Sequence, residues 1–372
     1  MRWKTEILEN ITVISKGKKH LETNDSDAKR YIQIEDLGDK FIPKYTLEKG
    51  VGVEENDVVI AWDGANAGKV GVGMIGVIGS TLARIRPVTD KIIGKYLFRF
   101  LQLKEAEIRS KRTGATIPHV NGVELRKMSF AFPDLATQQR IVAILDEADG
   151  LRRADKQLLV MHNELMQSIF IEMFGDPIKN EKGWHWEKFA NVGNLDRGIS
   201  KHRPRNAPEL LGGIYPLIQT GDVANSEGYI RTYKSTYSEL GLKQSKLWYP
   251  GTLCITIAAN IAKTGILTFN ACFPDSVVGF TPNKKTNVIY IQFWLSHLQE
   301  MLEATAPESA QKNINLEILR NLKLPLPPIE LQDKFAKLIE EVEHQKVLVI
   351  QQQQQSEALF QSLLQKAFKG EL

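Results

Sequence analysis

The segment VNGVELRKMSFAFPDLATQQRIVAILDE (120–147) comes back as INLEILRNLKLPLPPIELQDKFAKLIEE (314–341), and this repetition limits the fold more than any other feature of the chain. Asn121 aligns with Asn315, Leu125 with Leu319, Arg126 with Arg320, Pro133 with Pro327 and Gln138 with Gln332, always 194 residues on (from 121 to 315). The register persists to Ser168 with Ser362 and Phe174 with Phe368. Upstream the echo loosens: Trp3 with Trp186, Gly17 with Gly198, YIQIEDL (31–37) with YPLIQTGDV (215–223), and ENDVVIAWDG (55–64) with PGTLCITIAA (250–259). A solenoid stacks several repeats of about 20–50 residues. Two long copies in a chain of 372 residues mean a duplicated domain pair instead.

Each copy has the same order of parts. Short strand-like runs come first, among them DVVIAW (57–62) and GVIGSTLARIR (76–86), then TLCITIA (252–258) and SVVGFTP (276–282). Glycine and asparagine separate them, the pattern of a compact β-rich domain. A helical patch follows (94–111 and 287–304), then a proline-marked strand, SFAFPDL or LKLPLPPIEL, which hands the chain to a helix. The spacing therefore divides the chain into a β-rich domain over 1–135, a long helix over 136–175, a second such domain with its linker over 176–328 and a second long helix over 329–372.

From Ala136 to Phe174 there is no proline, and Gly150 is the only glycine. Heptad spacing puts Ile144, Leu151, Leu158 and Leu165 on one line, with Ala148, Asp155, His162 and Ile169 beside it. The second helix offers Leu338, Gln345, Gln352 and Leu359, and Phe335, Val342, Val349, Ser356 and Leu363. The run QQQQQ (351–355) interrupts this pattern. Apolar spacing resumes in phase on both sides of it, and glutamine is a fair helix former, so helix is expected there. Each helix alone would leave an apolar stripe in water, so the expectation is antiparallel pairing along these lines. About 34 residues at a rise of ~1.5 Å would span roughly 50 Å. The expected fold class is α+β: two β-rich domains related by a pseudo-twofold axis and joined by two long antiparallel coiled-coil helices.

Motifs for bond-making chemistry are missing or incomplete. GANAGKVG (64–71) lacks one spacer and the Ser/Thr of a phosphate loop, so it reads as a glycine-rich turn. The seven histidines are scattered without ligand spacing, and Cys254 and Cys272 cannot build a four-ligand zinc site or a disulfide framework. Cys254 reads as core. No GxSxG elbow occurs, and Asp176 with Glu181 and Lys182 lies in a Gly-Pro linker. The start MRWKTEILEN has no apolar run of signal-peptide length, and no stretch approaches the ~18–20 apolar residues of a membrane span. A cytoplasmic, non-catalytic protein with no membrane contact, no metal and no cofactor of its own is expected.

Lys+Arg 48 against Asp+Glu 44 leaves only +4, so any basic surface must be local. Lys16, Lys18, Lys19 and His20 follow the first strand-like run; Arg197, Lys201, His202, Arg203 and Arg205 hold the matching place in the second copy. Lys69, Arg109, Lys111 and Arg112 add to the first, and Lys263 and Lys312 to the second. Polar companions are Asn66, Thr113, Thr116, His119 and Asn121, then Asn260, Ser309, Gln311 and Asn313. Cations for phosphates beside Asn, Gln and Arg for base edges are what duplex reading requires.

With these residues in view, the chain resembles the specificity subunit of type I restriction–modification enzymes. The Trp3…Gly17 and Trp186…Gly198 openings and the two tyrosine-led segments carry the resemblance. So, most specifically, do the endings N121-x-x-x-L-R…F-P-D-L-x-x-Q-Q-R-I and N315-x-x-x-L-R…L-P-P-I-E-L-Q-D-K-F, each followed by a long helix. Departures are small: Pro133-Asp134 stands where the second copy has Pro327-Pro328, and polar residues interrupt the helical lines. The resemblance implies two target-recognition domains, each reading half of a split double-stranded DNA sequence. It implies helices that set the spacing and dock two modification (methyltransferase) subunits, which carry S-adenosylmethionine and methylate adenine N6. Motor-nuclease restriction subunits can join them. Arg152, Arg153, Met161 and Met166, off the heptad lines, are candidates for that docking. The competing reading is a coiled-coil scaffold whose duplicated domains bind protein; salt-dependent DNA binding would separate the two.

Overall fold

The computed structural model describes residues 3–38, 41–258, 261–305 and 314–372. The fold is α+β, and the chain divides into two compact units, residues 1–157 with 349–372, and residues 158–348. Each unit holds one β-rich domain, a segment of the long helix that follows that domain and a segment of the other long helix.

In the first unit, strand Thr12–Lys16 opens a four-stranded antiparallel sheet with Leu82–Pro87, Val58–Ala61 and Val70–Val72. A second sheet runs Lys44–Thr46, Lys29–Ile32, Gly76–Ile78 and Gly52–Val53, with a parallel pair Ile32–Ile78 inside it. Strand Lys4–Ile7 pairs separately with Ser129–Phe132, closing the domain on itself just before the long helix. The second unit repeats the scheme. Gly193–Arg197 opens a five-stranded sheet, Leu211–Leu217 lies in a four-stranded sheet with a parallel contact to Ala271–Cys272, and His185–Lys188 pairs with Lys323–Leu326.

The repeated signature has a structural meaning, residue by residue. Gln138 and Gln332 are fully buried. Gln138 donates to the carbonyls of Lys91 and Pro133 and accepts from the Ile93 amide. Gln332 donates to the carbonyls of Lys285 and Pro327 and accepts from the Asn287 amide, each partner displaced by the same interval as the glutamines. A buried side-chain amide satisfying three backbone groups locks the loop before the domain helix to the start of the long helix. Asn121 and Asn315 accept from the backbone amides that open the short helices Gly122–Arg126 and Leu316–Asn321. The Tyr96 and Tyr290 hydroxyls donate to the carbonyls of Ala131 and Pro325. The looser echo is also a cap, because Gln33-x-x-Asp36 and Gln219-x-x-Asp222 each form a capping box.

The long helices run Leu135–Phe174 and Ile329–Lys369, and the glutamine run is helical throughout. In the first unit their segments are antiparallel: Arg152 meets Glu357 and Asp155 meets Gln352. In the second, Phe170 and Phe174 pack edge-on against Phe335. Each domain core absorbs both helices. Ile141, Leu145, Phe360, Leu364 and Ala367 join Tyr96, Phe100 and Phe130 in one core. Met166, Phe170, Phe174, Phe335 and Ile339 join Tyr290, Trp294 and Phe280 in the other.

This packing corrects the expected seam. Leu151, Leu158 and Leu165 are exposed (55%, 37% and 48%), as is Leu359, while Ile144, Leu338, Val342 and Val349 are half-buried. The inward face of the first helix carries Ile141, Leu145, Ala148, Asp149 and Asp155 in the first unit, and Met166 and Phe170 in the second. Of the expected lines the leucine line thus faces outward, while the companion lines, with Ala148 and Asp155 on one helix and Phe335 and Ser356 on the other, lie inward.

Candidate nucleic-acid interface

Both basic clusters grow from the same local construction. The strand Thr12–Lys16 ends at Gly17, whose amide donates to Leu82. A Cβ there would lie 2.3 Å from the Gly79 carbonyl oxygen and 2.5 Å from that of Ile78. The strand Gly193–Arg197 ends at Gly198, whose amide donates to Val277, and a Cβ there would lie 2.3 Å from the Phe273 oxygen and 2.4 Å from that of Pro274. Only glycine lets the chain pass this close. In each domain the crossing turns the next, basic residues out beside a loop on a neighbouring strand.

In the first unit Lys16, Lys18 and Lys19 are exposed. His20 is not: it is 7% exposed, edge-on to Tyr31, with Nδ1 3.0 Å from Glu48. It is therefore removed from the DNA-facing set, because the chain turns inward after Lys19 to pack a ring in the apolar interior. Lys16 Nζ lies 2.7 Å from one Asp63 oxygen, and His119 Nδ1 lies 2.6 Å from the other. Burial alone would raise the Asp63 pKa, but the hydrogen bonds from Lys16 and His119 outweigh it and hold the carboxyl below its usual range. Arg112 donates to the Ala65 carbonyl, tying the 62–69 loop to the segment that carries Thr113 and His119. Thr113 and His119 exchange backbone hydrogen bonds. Lys16, Asn66, Thr113 and His119 thus share one solvent-facing region, with Lys69 half-buried in the same loop. Lys111 is held between Glu107 and Glu124, its pKa raised by the hydrogen bonds it donates to those carboxylates, so its charge is largely compensated.

In the second unit one loop gathers three arginines. Arg197 Nε donates to the Asp275 carbonyl at 2.8 Å, while Arg205 and Arg203 reach the Asp275 carboxylate at 2.5 and 3.6 Å. Arg203 also donates to the Ser200 and His202 carbonyls, and the His202 amide donates to Gln244. Lys201 is exposed and His202 half-buried. Lys263 stands apart, exposed and bonded to Gln299. Lys312, Asn260, Ser309, Gln311 and Asn313 lie outside the described residues.

Sequence reasoning missed the two carboxylates, Asp63 and Asp275. Each is far along the chain from the cations it holds, and no local pattern announces it. It also misjudged the helices: Arg152 is ion-paired with Asp149 and Glu357 and lies over the Phe360 ring, and Met166 is buried. Met161 is exposed, and Arg153 is exposed but ion-paired with Asp149. Cys254 and Cys272 are buried, and burial pushes both thiols up. Among the described residues no group of three His, Cys, Asp or Glu could hold a metal ion, and no helix is long and apolar enough to cross a membrane.

Comparison with known proteins gives one answer. The profile of the type I restriction modification DNA specificity domain matches twice, over residues 2–159 and 181–358. The MjaVIII type I restriction enzyme specificity subunit of Methanocaldococcus jannaschii is 23% identical, over 88% of this chain and 83% of that protein. The EcoBI specificity subunit of Escherichia coli is 22% identical, over 88% and 76%. The crystal structure of the type I restriction–modification S subunit from M. genitalium shares the fold, with a TM-score of 0.60 at 15% identity, over 99% of this chain and 96% of that one.

Proposed function

Because this chain belongs to the type I restriction–modification DNA specificity family and recognises a DNA target as the specificity subunit, we propose that each domain reads one half of a split site through the cluster beside its glycine crossing. The subunit is non-catalytic; the chemistry of such systems lies in partner subunits. The scaffold reading without DNA is not favoured. The observation that carries the proposal is the recurrence, in both domains, of exposed cations at the same point of the fold: Lys16 ending one strand with Lys18 and Lys19 after it, and Arg197 ending the other with Lys201, Arg203 and Arg205 after it. Lysines and arginines there would take phosphates, and Asn66, Thr113 and His119 would face base edges.

Two modification subunits would supply S-adenosylmethionine and methylate adenine N6 at the bound site, with motor-nuclease subunits joining to cut unmodified DNA. Exposed apolar side chains on the helices support docking there: Leu151 in the first unit, and Leu158, Met161 and Leu165 in the second. Mapping adenine methylation in a host with and without this chain tests the reading. A split motif that disappears with the chain is the expected result; an unchanged pattern would overturn it.

A further inference from the structure

We propose that Asp63 and Asp275 are positioning residues of the two DNA-reading surfaces, aligning the cations for sequence discrimination at the expense of non-specific affinity. The inference rests on the reading of these clusters as the DNA interface. An acid amid phosphate-binding cations is a paradox for affinity. It cancels part of their charge and repels the backbone, so a surface built only for phosphates would not carry it. Yet both domains place one at the centre, from a different part of the chain in each: the loop after Val58–Ala61, and the turn before Val277–Pro282.

What each carboxylate contributes is order. A free lysine or arginine gives up much rotamer freedom when a DNA group fixes it, and that entropy opposes binding. Lys16, anchored 2.7 Å from Asp63, has already lost much of that freedom before DNA arrives. His119 is 44% exposed, with Nδ1 turned to Asp63. The carboxylate engages Nδ1 and so fixes which way the ring faces, leaving Nε2 free to meet a base edge. In the other domain Asp275 holds Arg203 and Arg205 together while its own carbonyl fixes Arg197. Asp275 thereby restrains two guanidinium groups before DNA arrives, and a restrained fork loses less freedom in the bidentate reading of a guanine.

The test uses the subunit assembled with its modification partners. Asp63→Asn and Asp275→Asn keep shape and remove charge. Affinity for a target duplex and an unrelated duplex is measured across a salt series, with unfolding midpoints as the control for folding. The expected result is non-specific binding unchanged or several-fold tighter, with discrimination between the duplexes falling about tenfold. The relaxation should fall in one half-site for Asp63→Asn and in the other for Asp275→Asn. Asp63→Glu, which restores the charge one methylene away, should return non-specific affinity to its original level without fully restoring discrimination. Equal loss on both duplexes, or unchanged discrimination, would overturn the positioning role. Lys16→Ala and Arg205→Ala separate the two readings. If they weaken binding while the aspartate variants keep discrimination, only the positioning role fails. If they leave binding and its salt slope untouched, the interface itself lies elsewhere and both readings fall.

Discussion

The two joints between domain and long helices occupy matching positions of the repeat, and both hold buried ion pairs, but they are filled differently. In the first unit Arg99 is buried against Asp149 and Asp146, Arg152 bridges Asp149 to Glu357, and both guanidinium groups lie over the Phe360 ring. In the second unit the equivalents of Arg99, Asp149, Arg152 and Phe360 are Phe293, Glu343, Lys346 and Met166. There Lys346 is buried between Glu227 and Glu343, Arg231 reaches Glu343 from the edge, and a cleft of about 690 Å³ remains, lined by Phe293, Met166, Tyr229 and Lys346 among others. The duplication keeps a scaffold of backbone clamps while leaving the filling of each joint free to diverge. A close-packed ionic joint leaves no slack; a joint with a cleft can lose a group and let water take its place.

The largest expected effect breaks this contrast directly. Asp149→Ala takes one carboxylate from three arginines at once: Arg99, only 3% exposed, is left with Asp146, Arg152 is left with Glu357, and Arg153 loses its paired carboxylate. Removing one member of a buried pair costs about 3–5 kcal/mol, and the remaining carboxylates hold the loss toward the lower end. Glu343→Ala should cost less, because it takes a carboxylate from two cations rather than three, Lys346 keeping Glu227 and Arg231 being half-exposed. Denaturant unfolding of both variants measures the difference; equal losses would mean the cleft is as tightly coupled as the ionic joint. The acid dependence has a definite sign. Burial alone would raise the Asp149 pKa, but the charge of Arg99, the hydrogen bond from Arg152 and the charge of Arg153 hold it below its usual value. A carboxyl depressed in the folded state contributes stability above its unfolded pKa, near 3.9, and that contribution is lost as pH falls through the folded value. The ionic joint should therefore weaken only below about pH 4.

The clamps should show the reverse, equality between the units. Gln138→Leu and Gln332→Leu each leave two carbonyls and an amide without their partner, and Gln332→Leu also frees the Thr286 hydroxyl, which can turn to another acceptor. A loss of about 2–3 kcal/mol is expected for each, since stranding a single buried group costs ~1–3 kcal/mol and water can reach some of them. Thermal unfolding checks this. A loss in one unit without the other would end the argument that the repeat is kept for its backbone clamps.

Much of the fold was legible because it depends on such local necessities. The matching Asn, Pro and Gln residues constrain nearby backbone, so the chain order spells them out. The helices were legible from the absence of proline and the return of apolar spacing around the glutamine run. Their inward face was legible only in part. It is shared between partner helix and domain core: Ala148 and Asp155 of the companion line lie on it, but so does Asp149, which is off both lines and which a hydrophobic pattern passes over. The candidate site was half legible. The cations cluster in sequence, but Asp63 and Asp275 meet them only through folding, and the burial of His20 depends on Tyr31 and Glu48 in other strands and turns.

The reading surfaces give a smaller, separable effect. Arg203→Ala with Arg205→Ala should leave the fold intact, since both side chains are exposed. For each phosphate left without its cation, the slope of log K against log salt should flatten by about 0.9. If one arginine reads a base, its removal costs ~1–3 kcal/mol and relaxes one position of the second half-site. Lys18→Ala with Lys19→Ala is the counterpart in the first domain, where both lysines are exposed and no ion pair to either is found among the described residues. A slope change there with no relaxation at any base would make these lysines pure phosphate ligands. The two domains would then differ in how much reading they assign to the cluster.

The smallest expected effect on stability tests the corrected helix face. Leu151 would be a core residue if the heptad lines formed the seam, and its truncation to a polar side chain would then cost several kcal/mol. At 55% exposure it has little to lose, and Leu151→Ser should change stability by no more than about 0.5 kcal/mol. Leu165→Ser, 48% exposed in the second unit, should behave alike. Several exposed apolar side chains along the helices, Leu151, Leu158, Met161 and Leu165, offer a surface that another chain can cover. The same substitutions should therefore lower recovery of modification subunits in a pull-down while leaving helicity by circular dichroism unchanged. Loss of stability with full recovery of the partner would restore the leucine line to the seam; unchanged recovery with unchanged stability would put the docking surface on another face.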